Sequence, residues 1–143
     1  MVITREADYA VRLMLTIAGK DRGTVASARP LSEEANVPYE LARGLLSKLA
    51  DAGLLNSHRG RAGGFDLARP ASEITMGEIL MVAGEDLALN VCIIDPENCS
   101  SSTFCPMHPV WGAASEMLRG YLGGMALAEV LKMDTAGVGI ESC

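Results

Sequence analysis

Apolar residues recur at Ala7, Ala10, Val11, Met14, Leu15 and Ala18, the spacing that buries one face of a helix. Thr4 stands where an N-cap belongs, and Gly19 where such a helix stops. The pattern predicts a short second helix from Ala28 to Ala35, capped by Ser27 and containing Pro30, which a first turn tolerates. Asn36 suits a left-handed residue just past that helix, and Val37-Pro38 a tight corner. A third helix over Tyr39 to Ala52 places Leu41, Ala42, Leu45, Leu46 and Leu49 inward, ends at Gly53, and leaves Glu40, Arg43, Ser47 and Lys48 outward.

Two short helices joined by a tight corner, the second with a basic outer edge, form the helix-turn-helix pattern. Leu54-Leu55 and Phe65-Asp66-Leu67 then read as short strands around Arg59-Gly60-Arg61-Ala62-Gly63-Gly64. That glycine-rich tip lacks the Lys-Ser/Thr a phosphate-binding P-loop requires. Directly after a helix-turn-helix it reads as a wing. Thr75-Met76-Gly77-Glu78 is a capping box opening a fourth helix to about Ala83.

Residues 84–108 lose periodicity and collect Asp95-Pro96, Asn98, Ser100 to Ser102 and Pro106, a loop too long to be a mere connector. Beyond it Val110, Trp111, Ala114, Met117, Leu118, Tyr121 and Leu122 line one apolar helix face, and Ala126 to Lys132 form a shorter last helix. The stripe is wider than a small winged helix needs, so a dimer interface is its expected use. The expected fold is mainly α with a small β-hairpin. It comprises a winged helix-turn-helix domain over 1–83, a loop over 84–108, dimerisation helices over 109–133, and a flexible tail over 134–143 that includes Cys143.

Of 143 residues, 49% are hydrophobic and 21% charged, enough to build a core and to exclude wholesale disorder. The net charge of −6 hides a division: residues 1–75 hold 10 Lys+Arg against 9 Asp+Glu, and residues 76–143 hold 2 against 9. Nucleic acid is therefore expected at the first half. There Arg43 can reach a guanine edge in the major groove, with Tyr39, Glu40, Ser47 and Lys48 beside it for phosphates or other bases. Arg59, Gly60 and Arg61 form a slender tip suited to the minor groove or its phosphates. Neither a membrane span nor a secretory signal is expected, which implies a cytoplasmic protein with reduced thiols and no membrane partner.

Cys92, Cys99 and Cys105 lie within 14 residues, spaced C-x6-C-x5-C, with His108 shortly after the third. Thiolates are soft ligands for zinc, copper(I) or iron-sulfur clusters. Zinc favours C-x2-C pairs, absent here, although a Cys3His zinc site and bare redox thiols remain open. Wide gaps suit a larger object with separated ligand sites, which a cluster is. No nucleophile-base pair stands out, so neither an enzyme nor a small-molecule substrate is expected.

Over nearly its whole length the chain resembles one bacterial family, the Rrf-type winged-helix regulators with their IscR-like and NsrR-like iron-sulfur branches. The resemblance rests on Asp8-Tyr9-Ala10-Val11-Arg12, LLSKLADAGLL at Leu45 to Leu55, RGRAGGF at Arg59 to Phe65, TMGEIL at Thr75 to Leu80, and the three-cysteine loop. It implies a homodimeric transcription factor acting on a double-stranded operator. A 2Fe-2S or 4Fe-4S cluster on the three cysteines, with a fourth non-cysteine ligand, would sense nitric oxide, redox or iron status. The IscR-like solution for that ligand is matched by His108, and the NsrR-like solution, an acidic residue from the partner's first helix, by Asp8. The DYAVR stretch looks closer to the NsrR-like branch and favours Asp8. Arg43 stands where the IscR-like branch commonly has an acidic residue.

Overall fold

The computed structural model describes residues 2–133. Helices α1 (Arg5–Ala18), α2 (Ala28–Glu34) and α3 (Tyr39–Asp51) are followed by a hairpin of β1 (Leu55–His58) and β2 (Gly64–Leu67), then α4 (Met76–Val82), a short α5 (Val91–Ile94), α6 (His108–Gly124) and α7 (Leu127–Val130). None of the described helices is long and apolar enough to cross a membrane. The anticipated tail at 134–143, with Cys143, lies outside the described residues.

Thr4 caps α1 as expected, its Oγ1 accepting from the Ala7 N–H at 3.2 Å. The buried face is Ala7, Ala10, Leu13, Met14 and Ile17, rotated from the anticipated stripe because α3 and α4 cover it from two sides. Val11, Leu15 and Ala18 become the partly buried margin. Asn36 adopts φ 52° at the corner, the left-handed geometry its side chain tolerates. Ser27 occupies the N-cap position of α2, but its side chain makes no capping bond.

Leu41 corrects the sequence reading: it is 52% exposed. At about 100° per residue the α3 face toward the core is filled by Ala42, Leu45, Leu46 and Leu49, and Leu41 falls at its edge.

The strands are longer than anticipated, pairing antiparallel from Leu55↔Leu67 to His58↔Gly64. Past Leu55, strand β1 is polar and exposed, so it carries no hydrophobic alternation to read. The hairpin is tied to the helices by Ala26 and Phe65, which exchange N–H···O bonds of 3.0 and 2.9 Å. This close approach needs glycine at the neighbouring position. Gly64 has φ +152°, and a Cβ there would lie 2.3 Å from the Ala26 carbonyl oxygen.

The capping box forms in full: the Glu78 N–H reaches Thr75 Oγ1 at 3.2 Å, and the Thr75 N–H reaches Glu78 Oε2 at 2.9 Å. Burial works to raise the Glu78 carboxyl, but the hydrogen bond from Arg69, the Thr75 N–H and the Arg69 charge outweigh it and hold it below the ordinary value. A carboxylate whose pKa is lower in the folded chain stabilises the fold above its unfolded pKa, and that contribution is lost as pH falls through the folded pKa. Glu78→Gln should therefore lower the melting temperature at pH 7 by a few degrees, and the difference should shrink as pH is lowered below 4.5, by paired calorimetric scans.

The stretch 84–108 is not without structure: α5 carries Cys92, and a 3-10 turn spans Pro96–Asn98. Leu87, buried beside it, takes φ 50°. In the 17-residue α6 the only buried side chain is Ser115, whose Oγ accepts from the Leu89 N–H at 3.0 Å and donates to the Trp111 carbonyl at 2.7 Å. The far end of α6 returns to the winged helix. Gly77 of α4 lies so near it that a Cβ would stand 3.1 Å from the Gly123 Cα. The Met76 N–H donates to Met125 and the Leu127 N–H to Ile74, at 2.9 and 2.8 Å. Leu127 is fully buried in the same core as α1 and α3.

Candidate DNA-binding surface and cysteine loop

At the start of α3 the half-buried Tyr39 ring gathers two cations. The Arg29 guanidinium from α2 sits over it at 4.1 Å from the centroid, and that of Arg43 at 5.7 Å. Arg43 also donates to Glu40 at 3.4 Å and keeps more than half its side-chain surface open. Ser47, one turn further along α3, is exposed. Tyr39, Glu40, Arg43 and Ser47 thus share one outward surface.

Lys48 does not join them. Five residues after Arg43, it lies about 140° around the helix and donates to Glu6 of α1 at 2.8 Å, at the rim of a cleft also lined by Arg5, Tyr9 and Leu41. Arg59, Gly60 and Arg61 are exposed at the wing tip, and neither arginine forms an ion pair among the described residues. The tip is closed by the Gly63 N–H on the Gly60 carbonyl at 3.0 Å. At its base His58 meets Asp66 at 2.7 Å.

Arg29, stacked on Tyr39, is a surface cation the sequence reading did not single out. Ten positions separate it from Tyr39, so periodicity does not connect them. One signal was available: a cation in the first turn of a helix opposes the helix dipole, so its place asks for another explanation.

The cysteine loop presents three free thiols, each half-buried. Cys92 is on α5, Cys99 follows the 3-10 turn with its N–H on the Pro96 carbonyl at 3.2 Å, and Cys105 precedes α6 with its N–H on the Ser101 carbonyl at 2.8 Å. His108 opens α6 and its backbone N–H donates to the Cys105 carbonyl at 3.1 Å. Its Nδ1 is buried and has no hydrogen-bond partner among the described residues. Asp8, by contrast, holds Arg12 at 2.8 Å. Among the described residues no three His, Cys, Asp or Glu groups are gathered as a metal centre. The loop also exposes apolar surface, with Phe104 89% accessible.

The model of the Rrf2 family, described as iron-dependent transcriptional regulators, matches residues 3–133. The chain belongs to the Rrf2 family. Rrf2 proteins are DNA-binding transcriptional regulators, and this chain is one of them and not an enzyme. It is 30% identical over 131 residues to a putative HTH-type transcriptional regulator of Haemophilus influenzae, covering 92% of this chain and 87% of that one. It is likewise 30% identical over 131 residues to the HTH-type regulator IscR of Serratia proteamaculans, covering 92% and 79%. Among solved structures it resembles the oxidized form of Staphylococcus aureus CymR, with a TM-score of 0.73 and 26% identity over 94% of this chain and 98% of that one. The Rrf2 winged-helix fold with its long α6 is thus the fold expected from the sequence.

Proposed function

We propose that this Rrf2 protein is a homodimeric operator-binding regulator whose Cys92, Cys99 and Cys105 hold an iron-sulfur cluster, and whose DNA affinity follows the presence and state of that cluster. The observation that carries this reading is the donor set: three free thiols in one loop beside a buried, unpartnered His108 Nδ1. These residues fit such a group in chemistry, since thiolates ligate cluster iron and the ring nitrogen is an available fourth donor. The donors are not gathered in advance, so binding and loop ordering would be coupled. When bound, the cluster supplies a redox-active, chemically labile centre open to oxygen, nitric oxide or iron limitation.

For the fourth ligand the resemblance favours Asp8 and the geometry favours His108. We take His108, because Asp8 would first have to release Arg12, whereas His108 Nδ1 gives up nothing.

A route from loop to DNA is supported by backbone bonds. Leu89, three residues before Cys92, is held by Ser115 of α6, and Met125 and Leu127, just past the far end of α6, are bonded to Met76 and Ile74 at the start of α4. Dimerisation through α6 is supported by its uncovered apolar face, where Met117 is 77% and Tyr121 65% exposed.

Anaerobic purification tests the reading. The protein should be brown, contain iron and acid-labile sulfide, run as a dimer by light scattering, and enrich a palindromic site from a random duplex library. Colourless protein with neither iron nor sulfide sinks the cluster. A zinc content of one per chain would then support a structural metal. A DNA affinity changed by peroxide would support redox thiols, the reading favoured by the likeness to CymR, a relative solved in an oxidized form.

A further inference from the structure

We propose that Arg29 grips a backbone phosphate in the operator complex, held ready by the Tyr39 ring. The inference rests on the DNA-binding function and adds a residue and a role to it. Arg29 is exposed, and its guanidinium carbon lies 4.1 Å from the centre of the Tyr39 ring. Stacking on an aromatic face restrains the side chain while its N–H edge stays available for hydrogen bonds. Arg43 is engaged by Glu40, Lys48 by Glu6 and Lys20 by Glu34, whereas Arg5, at the start of α1, forms no ion pair among the described residues. Arg29 forms no ion pair among the described residues. It is therefore a cation left without a counter-charge, on the surface that meets a polyanion.

Its place in the fold assigns it phosphate and not base. Arg29 belongs to α2, the first helix of the motif, which crosses the DNA backbone, whereas α3 enters the major groove. Tyr39 stands at the junction with one guanidinium from each helix over its ring. It thereby sets the separation of a backbone grip (Arg29) from a base reader (Arg43), and its role is positioning. Phosphate interactions act alike on all sequences and appear in the salt dependence.

The test uses the full-length protein and a duplex enriched from a random library, with a scrambled duplex as control, by fluorescence anisotropy over a series of salt concentrations. Arg29→Ala should weaken binding to both duplexes by a similar factor, about 3- to 10-fold, and flatten the plot of log affinity against log salt by about one unit for each phosphate no longer neutralised. Tyr39→Leu removes the ring and should reproduce the flattened slope, whereas Tyr39→Phe, which keeps the ring, should flatten it less than Tyr39→Leu does. Circular dichroism melting shows that each variant is folded. Unchanged affinity and slope in Arg29→Ala overturns the proposal, as does a loss confined to the enriched site, which would make Arg29 a base reader. Failure of the parent protein to enrich any duplex is a different result and strikes at operator binding itself.

Discussion

Anaerobically purified Cys99→Ala protein is expected to carry no acid-labile sulfide and no visible absorption, and Cys92→Ala and Cys105→Ala are expected to do the same. These three are the only thiols in the loop, and removing one opens an iron to solvent and to attack. Because the donors are not gathered beforehand, two remaining thiols have no rigid frame that would keep a damaged cluster in place. Cys143→Ala should retain full iron and sulfide. His108→Ala should alter the visible spectrum and shorten the cluster's lifetime in air more than Asp8→Ala, because Asp8 is engaged by Arg12 and His108 Nδ1 has no partner. Full cluster content in Cys99→Ala would refute the cluster assignment, and the reverse order of the other two would return the fourth ligand to Asp8.

Gly64→Ala is expected to be the most damaging single methyl group in the DNA-binding half. The added carbon would meet the Ala26 carbonyl oxygen at 2.3 Å and the Ser27 nitrogen at 2.7 Å, with φ at +152°. Backbone strain of about 1–3 kcal/mol adds to overpacking of about 1–3 kcal/mol, against a total stability of about 5–15 kcal/mol for a domain. The melting temperature should fall by roughly 10 °C. Affinity for DNA should fall with it, because the bonds between Ala26 and Phe65 that this change breaks are what hold the wing against α2. Gly60→Ala is the control: its φ of +100° is strained for alanine, but nothing lies within 4 Å of the new carbon. It should cost clearly less stability. Equal melting temperatures for the two variants would show that the wing stem is not the anchor.

The parts of this protein that can be read from sequence are those whose cause is local. Thr4, Asn36, Gly53 and the Thr75/Glu78 box mark helix ends through bonds and dihedral angles made within a few residues, and each stands where local chemistry places it. The same is true of the wing, where an Arg-Gly-Arg tip before two glycines is meaningful without knowledge of its surroundings. That three free thiols share one loop is legible for the same reason.

What failed to show in sequence depends on neighbours distant along the chain. Leu41 is apolar at a plausible spacing, yet only the packing of α1 and α2 decides where the inward face of α3 ends. Lys48 and Arg43 look equivalent as basic residues on one helix until Glu6 claims one and Tyr39 and Glu40 the other. Arg29 becomes visible only once α2 brings it over Tyr39.

By itself, the sequence determined the helices other than α5, the hairpin among them and the grouping of three cysteines in one loop, because propensity, capping and residue type act over one or two turns. Only the tertiary structure decided that Leu127 belongs to the winged-helix core, that Ser115 clasps the chain just before the cysteines, and that Arg29 faces outward from the Tyr39 ring. Those outcomes turn on burial and charge pairing between segments far apart along the chain, and local residue order does not specify which distant segments will meet.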